Sequence, residues 1–454
     1  MHRLIKNMDK SIFRDKKILV MGLGRFGGGV DVVKFACSAG AKVIVTDLAD
    51  REALAESIAQ LKGLDVDYHL GSHNTNDFHR ADVVVANPAV PHNNTFLRIA
   101  RDAGRQITSQ IELFFQLCPA TIVGITGTNG KSTTSALTAH LLRSQFPQSV
   151  WLSGNIGNEP FLTILDKIKP DDIVVLEISS FQIEQLNQSR LAPDIALLTN
   201  LTANHLDRYG SFENYCAAKE LLFLNQKSDE ENPLVSIFNA DDPIGSRWFY
   251  KYGALSGRTC IRFSANDVPD SICSVFSLPG RANLANLAAA LAIIEQFGVY
   301  DIESSLSSFK ALPHRLELVA ESNGVRWFDD SKATTPESAI VALDAFDNPI
   351  ILIAGGYDKH VSFDKLGEKV ARNTEAAILI GQTAQAIAKA ISISSPATEI
   401  RFAETLAEAV KIANDLADSG DVVLLSPACA SYDMFENYEQ RGRQFSDLAN
   451  NISR

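Results

Sequence analysis

Gly124-Ile-Thr-Gly-Thr-Asn-Gly-Lys-Ser-Thr-Thr134 lies between a short apolar run, Thr121-Ile-Val-Gly124, and the helix-like pattern Ser135-Ala-Leu-Thr-Ala-His-Leu-Leu142. A strand that hands over to a helix through closely spaced glycines is suited to hold phosphate. The glycines let main-chain N–H groups approach an anion, and the helix N-terminus adds partial positive charge. Gly127, Thr128, Asn129, Gly130 and Thr133 form the expected cradle, Lys131 reaches the outer phosphates, and the Ser132 hydroxyl takes a place on magnesium. The common form of such a loop is Gly-x-x-x-x-Gly-Lys-Ser/Thr; here Ile125 stands at the first glycine, leaving Gly127-x-x-Gly130-Lys-Ser.

The rest of the chain repeats the strand-then-helix pattern. Lys17–Met21, Val43–Val45, Val83–Val85, Ile173–Leu176, Ile195–Leu198, Ile350–Ala354, Ala377–Ile380 and Val422–Leu425 are short apolar runs separated by helix-length stretches. Runs apolar on both faces that alternate with amphipathic helices predict α/β units with mainly parallel sheets. A chain of 454 residues exceeds one hydrophobic core, and its length suggests about three domains. We place the boundaries near Gln106-Ile-Thr-Ser109 and Leu312-Pro-His-Arg315, giving domains 1–109, 110–312 and 313–454.

In the first of these, Gly22-Leu-Gly24-Arg-Phe-Gly27 follows a strand and precedes a helical stretch, and Asp47 closes the next strand. This satisfies the dinucleotide fingerprint, in which an acidic residue takes the ribose hydroxyls. The physics of the turn is close approach of a diphosphate, so a nicotinamide dinucleotide and a uridine diphosphate group fit equally, and a plain βαβ turn needs no ligand. The expected architecture is therefore Rossmann-like, then phosphate-loop ATPase-like, then Rossmann-like.

The formal charge of −12, without a block of lysines and arginines in the interior, speaks against a nucleic-acid partner. No run approaches the ~18 apolar residues of a membrane helix. The basic first 17 residues also contain Asp9 and Asp15 and no apolar core, as expected of a solvated leader rather than a signal peptide. A cytoplasmic monomer is expected. Six scattered cysteines without a Cys-x-x-Cys pair suit reduced thiols.

Downstream of the phosphate loop, Glu177 ends the run Ile173-Val-Val-Leu-Glu177, where a carboxylate can hold magnesium or, more simply, cap a helix. Thr199-Asn-Leu-Thr-Ala-Asn-His-Leu-Asp-Arg-Tyr209 brings His205 and Asp207 to the same sheet edge, and Lys219 follows one helix later.

Thr126-Gly-Thr-Asn-Gly-Lys-Ser-Thr-Thr134, Glu177-Ile-Ser-Ser-Phe-Gln182, Asn204-His-Leu-Asp-Arg-Tyr209 and Leu312-Pro-His-Arg315 together resemble the Mur ligases, which join amino acids to the peptidoglycan stem. Their phosphate loop also lacks the first glycine. Asp329-Asp-Ser-Lys-Ala-Thr334, Leu425-Ser-Pro-Ala-Cys-Ala-Ser431 and Phe435-x-x-Tyr-Glu-Gln-Arg-Gly442 look like the branch that adds D-glutamate to UDP-N-acetylmuramoyl-L-alanine.

The resemblance implies an ATP- and Mg2+-dependent ligase working through an acyl phosphate. It implies Ser132 and Glu177 on one magnesium, and His205 with Lys219, as a carbamate, on a second. It implies Gly24, Arg25, Phe26, Asp47, Asn155 and His205 on the UDP substrate, and Asn283, Arg315 and Asp330 with the phosphate loop on ATP. Lys332 joins Lys131, His205 and Lys219 as catalytic, and Thr334, Lys359, Ser431, Tyr432 and Tyr438 are implied around D-glutamate. Asn87-Pro-Ala89, Leu48-Ala49 and Tyr438 depart from the family's usual Ser-Pro-Gly, polar uracil contacts and phenylalanine. A folylpolyglutamate synthase-like ligase, an NAD-linked oxidoreductase and a catalytically silent nucleotide sensor are the alternatives.

Overall fold

The computed structural model describes residues 10–25, 27–156, 160–227, 234–395 and 397–452; Phe26 and residues 1–9 of the basic leader lie outside them. Three sheets follow one another along the chain.

The first sheet holds β1 (Lys17–Met21), β2 (Lys42–Asp47), β3 (Val66–Leu70), β4 (Val83–Ala86) and β5 (Gln106–Thr108), in the order β3-β2-β1-β4-β5, all parallel. Ile18, Leu19, Val20 and Met21 are all buried, as expected of a central parallel strand covered by helices on both faces. Each such side chain contributes roughly 1.5–3 kcal/mol of burial.

The second sheet holds β6 (Thr121–Thr126), β7 (Val150–Gly154), β8 (Ile173–Glu177), β9 (Ile195–Leu198), β10 (Leu234–Asn239) and β11 (Arg258–Phe263), in the order β11-β10-β9-β6-β8-β7, again all parallel. The chain leaves β6 towards β8 on one side and reaches β9 on the other, so the strand order reverses at β6. Ligands of open α/β sheets bind at such a reversal, beyond the carboxyl ends of the strands.

The third sheet holds β12 (Glu317–Ser322), β13 (Val325–Asp329), β14 (Ile350–Gly355), β15 (Ala376–Ile380), β16 (Glu399–Phe402) and β17 (Val422–Leu425), in the order β12-β13-β17-β14-β15-β16. It is parallel except for β12, which pairs antiparallel with β13 through a bulge between Leu318 and Ala320.

The chain forms two compact units: residues to Ser264 with Ala289–Tyr300, and Ala265–Ala288 with Asp301–Arg454. In the first, one apolar core runs from Val20 and Phe35 through Ile111, Phe114 and Phe115 to Phe161, Leu176 and Leu198, so the helix Gln110–Leu117 joins the two sheets. Polar bonds cross the same junction. Gln185 Nε2 donates to the Ala86 carbonyl at 3.1 Å, and Ser189 Oγ donates to Glu112 at 2.7 Å.

In the second unit, the buried Arg441 stands in for a packed core residue. Its Nε donates to Ser331 Oγ at 2.9 Å, Nη2 to the Ser331 carbonyl at 2.7 Å and Nη1 to the Cys429 carbonyl at 3.1 Å. Burial lowers its pKa to about 10, which keeps the cation intact at neutral pH. The guanidinium thus stitches the segments after β13 and β17 to the last helix, Tyr438–Ile452. All six cysteines are free thiols, and no helix among the described residues is long and apolar enough to cross a membrane.

Arg441→Met removes donors from carbonyls that stay buried, and should destabilise this unit by about 3 kcal/mol. Amide hydrogen exchange resolved by segment checks it: β13 and β17 should lose protection while β6 and β8 keep theirs.

Candidate active site

The phosphate loop joins β6 to the helix Lys131–Arg143. Gly127 has φ 146°, and a Cβ there would lie 1.9 Å from Thr199 Oγ1; Gly130, at φ 82°, starts the helix in the left-handed region. The loop is pinned to the end of β9. Thr128 N donates to the Asn200 carbonyl at 2.8 Å, Asn129 N to Asn200 Oδ1 at 3.0 Å, and Thr199 Oγ1 to the Asn129 carbonyl at 2.7 Å. Lys131 Nζ lies over the loop and donates to the Thr128 carbonyl at 2.8 Å.

Ser132 Oγ donates to Glu177 Oε2 at 2.6 Å, and both residues are buried. Glu177 ends β8 and does not cap the next helix. That task falls to Ser179, which forms a capping box with Gln182. The other carboxylate oxygen of Glu177 accepts from Asn155 Nδ2 at 3.2 Å. A hydroxyl and a carboxylate side by side at a helix N-terminus are hard oxygen donors of the kind magnesium prefers, so these residues fit the ion.

Lys219 is 2% exposed, and its amine donates to Thr126 Oγ1 at 3.2 Å, directly below the loop. Desolvation first, and then the charge of Lys131, push its pKa well below 10.5, against a smaller pull from Glu177. The lysine is therefore held toward the neutral amine. His205 takes a left-handed conformation (φ 52°) before the short helix Leu206–Tyr209. Its ring sits 5.2 Å from Phe181 and 6.2 Å from Tyr215, while the Lys219 amine lies 5.1 Å from the Tyr215 ring. Partial desolvation, above all, lowers the His205 pKa, which favours the imidazole form that can act as a ligand.

Beside this cluster lies a cavity of about 600 Å³ between the first two sheets, lined by Arg25, Asn87, Gln110, Asn155, Phe161 and Gln182 among others. Of the residues expected on the UDP substrate, Arg25 and Asn155 line it. Gly24 and Asp47 are bonded to one another beside it, with Gly24 N donating to Asp47 Oδ2 at 3.1 Å. Ala49 N donates to Asp47 Oδ1 at 2.9 Å, so main-chain donors already occupy both oxygens of the fingerprint acid. His205 is not part of the cavity wall, and Phe26 lies outside the described residues.

The second unit carries the other expected residues. Asp330, at the end of β13, is buried, accepts from Ser426 Oγ at 2.8 Å and from Leu316 N at 3.3 Å, and is pushed up to about 7, chiefly by desolvation. Asn283 Nδ2 donates to the Pro279 carbonyl at 2.8 Å, and Arg315 is partly buried. The exposed Lys332 amine stands 5.3 Å from the Tyr438 ring; burial raises the Tyr438 phenol to about 12. Ser431 is buried, Tyr432 is exposed with its ring 6.2 Å from Tyr357, Thr334 is partly buried and Lys359 faces solvent.

Sequence reasoning missed Thr126, Asn200 and Tyr215. Thr126 is the hydrogen-bond partner of Lys219, Asn200 fixes the loop, and Tyr215 stands between His205 and Lys219. The polar pair Thr199-Asn200 directly follows a buried strand, but its bonds to the loop depend on the pairing of β6 with β9.

A parallel α/β chain with a phosphate loop at the sheet reversal, a Ser–Glu pair and a desolvated lysine defines a phosphate-loop nucleotide-dependent protein. Family models match along its length: the MurD-like N-terminal domain of Mur ligases over residues 16–109, the Mur ligase middle domain over 125–294, and the Mur ligase glutamate ligase domain over 314–429. The chain is 40% identical to a UDP-N-acetylmuramoylalanine–D-glutamate ligase of Roseiflexus sp. (strain RS-1), covering 96% of this chain and 99% of that protein. It is 38% identical to the enzyme of the same name from Geotalea uraniireducens (strain Rf4), covering 96% and 98%. The chain belongs to the Mur ligase family, a family of ATP-dependent, amide-forming ligases.

Solved structures agree on the fold. A UDP-N-acetylmuramate-alanine ligase from Thermotoga maritima matches with a TM-score of 0.57 at 19% identity, over 96% of this chain and 100% of that one. A MurF ligase from Thermotoga maritima in complex with ADP matches with a TM-score of 0.58 at 19% identity, over all of both chains.

The unfolded chain holds the Lys219 proton up to 10.5, and the folded chain releases it at lower pH, so unfolding takes up a proton between the two values. Stability therefore rises with pH across that window, and the penalty is complete below the folded value. Lys219→Met should stabilise the protein by about 1–3 kcal/mol at pH 7. Urea unfolding in bicarbonate-free buffer at pH 7 and pH 9 checks it: the gain should shrink as the pH rises.

Proposed function

We propose that this chain adds D-glutamate to UDP-N-acetylmuramoyl-L-alanine, using ATP and Mg2+ and passing through an acyl phosphate, in peptidoglycan precursor synthesis in the cytoplasm. The observation that carries this reading is the desolvated Lys219 amine beneath a phosphate loop whose Ser132 already meets Glu177. The end-to-end identity to ligases of that name supports it.

A carboxylate is a poor electrophile, and phosphorylation gives it a leaving group. The terminal phosphoryl group of ATP passes to the alanine carboxylate, the amine of D-glutamate attacks the acyl carbon, and phosphate departs. Such transfers are catalysed mainly by position and by charge placed around the phosphoryl group. The loop amides from Gly127 to Thr133 and Lys131 hold the triphosphate. Ser132 and Glu177 would hold one magnesium, and His205 and Lys219 a second; ions held there would supply positive charge to the phosphoryl oxygens.

A neutral, buried amine is the form of lysine that can take up CO2, and the carbamate is an anionic oxygen ligand, which Lys219 otherwise lacks. Arg25, Asn155 and their neighbours in the cavity take the UDP-sugar, with Gly24 and Asp47 shaping the turn beside it. Asn283, Arg315 and Asp330 hold the nucleoside end of ATP. Lys332, Thr334, Lys359, Ser431, Tyr432 and Tyr438 receive D-glutamate, whose two carboxylates need cations and hydroxyl donors. In this reading the protein works as a monomer with domains 1–109, 110–312 and 313–454.

Purified full-length protein with ATP, Mg2+, UDP-N-acetylmuramoyl-L-alanine and D-glutamate should release ADP and phosphate. L-glutamate, lysine or diaminopimelate in place of D-glutamate, or a folate in place of the UDP substrate, should give little. ADP release with the folate alone would replace this reading by the folate one.

Lys219→Ala should lose activity by at least about 100-fold, the scale expected when a charge that acts on the transition state is removed. Short carboxylates should restore part of it, and 13C-bicarbonate should give the wild-type protein a carbamate carbon resonance that the variant lacks.

A further inference from the structure

Asp31 is a buried acid whose partners are all N–H groups. It lies in the first turn of the helix Gly28–Ser38 and is 2% exposed. Its Oδ1 accepts from Thr163 N at 3.0 Å; its Oδ2 accepts from Leu162 N at 2.8 Å and from Gln110 Nε2 at 2.6 Å. Three separate segments therefore meet on one carboxylate: the helix after the first glycine-rich turn, the start of the helix that joins the two sheets, and the turn that follows β7. The main-chain donors lie 131 and 132 residues away in sequence, so these bonds span the junction between the sheets.

The approach is close. A Cβ on Gly28 would come within 3.2 Å of Gln110 Oε1, and glycine there lets the Gln110 amide reach the acid. Asp31, Gln110, Phe161 and Thr163 also line the 600 Å³ cavity, together with Asn155. An acid in the wall of a cavity for an anionic ligand would repel it. Here the charge is turned onto three N–H donors instead, and charge-assisted bonds of this kind are stronger than neutral ones.

We propose that Asp31 is a positioning residue for the UDP-sugar cleft. By fixing the turn Phe161–Thr163 against the helix Gly28–Ser38, it sets the wall of the cavity before the substrate arrives. This rests on the assignment of the cavity to the UDP substrate. A preformed wall lowers the ordering cost of binding and leaves the chemistry untouched, so its signature is selective. Asp31→Asn keeps the shape but turns an NH2 group toward N–H donors.

The test uses full-length protein. It measures direct binding of UDP-N-acetylmuramoyl-L-alanine, the kcat and KM for each substrate, and amide exchange across residues 161–163. In Asp31→Asn, Kd and KM for the UDP substrate should rise about tenfold, kcat should hold within about twofold, and KM for ATP and D-glutamate should not move; that is the loss of roughly one charge-assisted hydrogen bond. Exchange across 161–163 should quicken. If the wild type binds the UDP substrate and the variant binds it equally well, or if all three KM values rise together, Asp31 has no such role. If the wild type does not bind the UDP substrate, the assignment of the cavity fails, and this inference with it. Should Asp31→Asn not fold, Gln110→Leu removes one of the three donors. A rise of about threefold confined to the UDP substrate supports the role, and unchanged binding overturns it.

Discussion

Main chain pressed against its neighbours at the end of β6 is the constraint on which the rest of the site depends. Gly127 has no room for a methyl group beside Thr199, and two residues before the strand ends Gly124 is closed in by Pro193 and Ile178. The loop is thus rigid because its surroundings leave it one path. Rigidity at that point fixes where the helix Lys131–Arg143 begins, and so places Ser132 against Glu177. It also fixes Thr126, the last residue of β6, over Lys219. The site comes from one strand and its two neighbours, β8 and β9, whose registers bring Ile125 opposite Glu177 and Thr126 opposite Leu198.

Within that frame the charges are arranged at a cost. A lysine taken out of water beside a second lysine is unfavourable, and the Thr126 hydroxyl does not compensate for a lost hydration shell. Folds tolerate such groups where activity requires them, and the well-packed strands on either side supply the stability to do so. Glu177 is placed differently. Each of its oxygens accepts one bond, from the Ser132 hydroxyl and the Asn155 amide, so the same carboxylate links the phosphate loop to the cavity that Asn155 lines.

The central strands were legible in the sequence because burial on both faces demands unbroken apolar runs, as in Ile350–Ala354 and Val422–Leu425. The strands that escaped are mostly edges or near-edges. Val66–Leu70 alternates exposed and half-buried residues, and Arg258–Phe263 and Glu399–Phe402 carry charges on a solvent face. The phosphate loop and Glu177 were legible for a chemical reason, since few residue types can do that work at that spacing. Asn200 and Thr126 were not, because their roles arise only from parallel pairing of strands distant in sequence. Arg441 stood inside a recognised motif, yet nothing local shows that its guanidinium serves buried carbonyls. The Gly22 to Asp47 fingerprint stayed ambiguous for a similar reason: the acid that would mark a ribose is bonded to its own turn.

The order of strands in the third sheet bears on how the molecule is made. β17, at residues 422–425, is the last strand to be synthesised, yet it lies in the middle of its sheet, between β13 and β14. Until the ribosome has delivered it, those two strands have no partner on that side, and an unpaired, wholly apolar strand edge invites association with other chains. The nascent polypeptide therefore carries an unfinished sheet from the synthesis of β13 and β14 until β17 emerges, and a chain cut short before residue 422 would lack the piece that closes it.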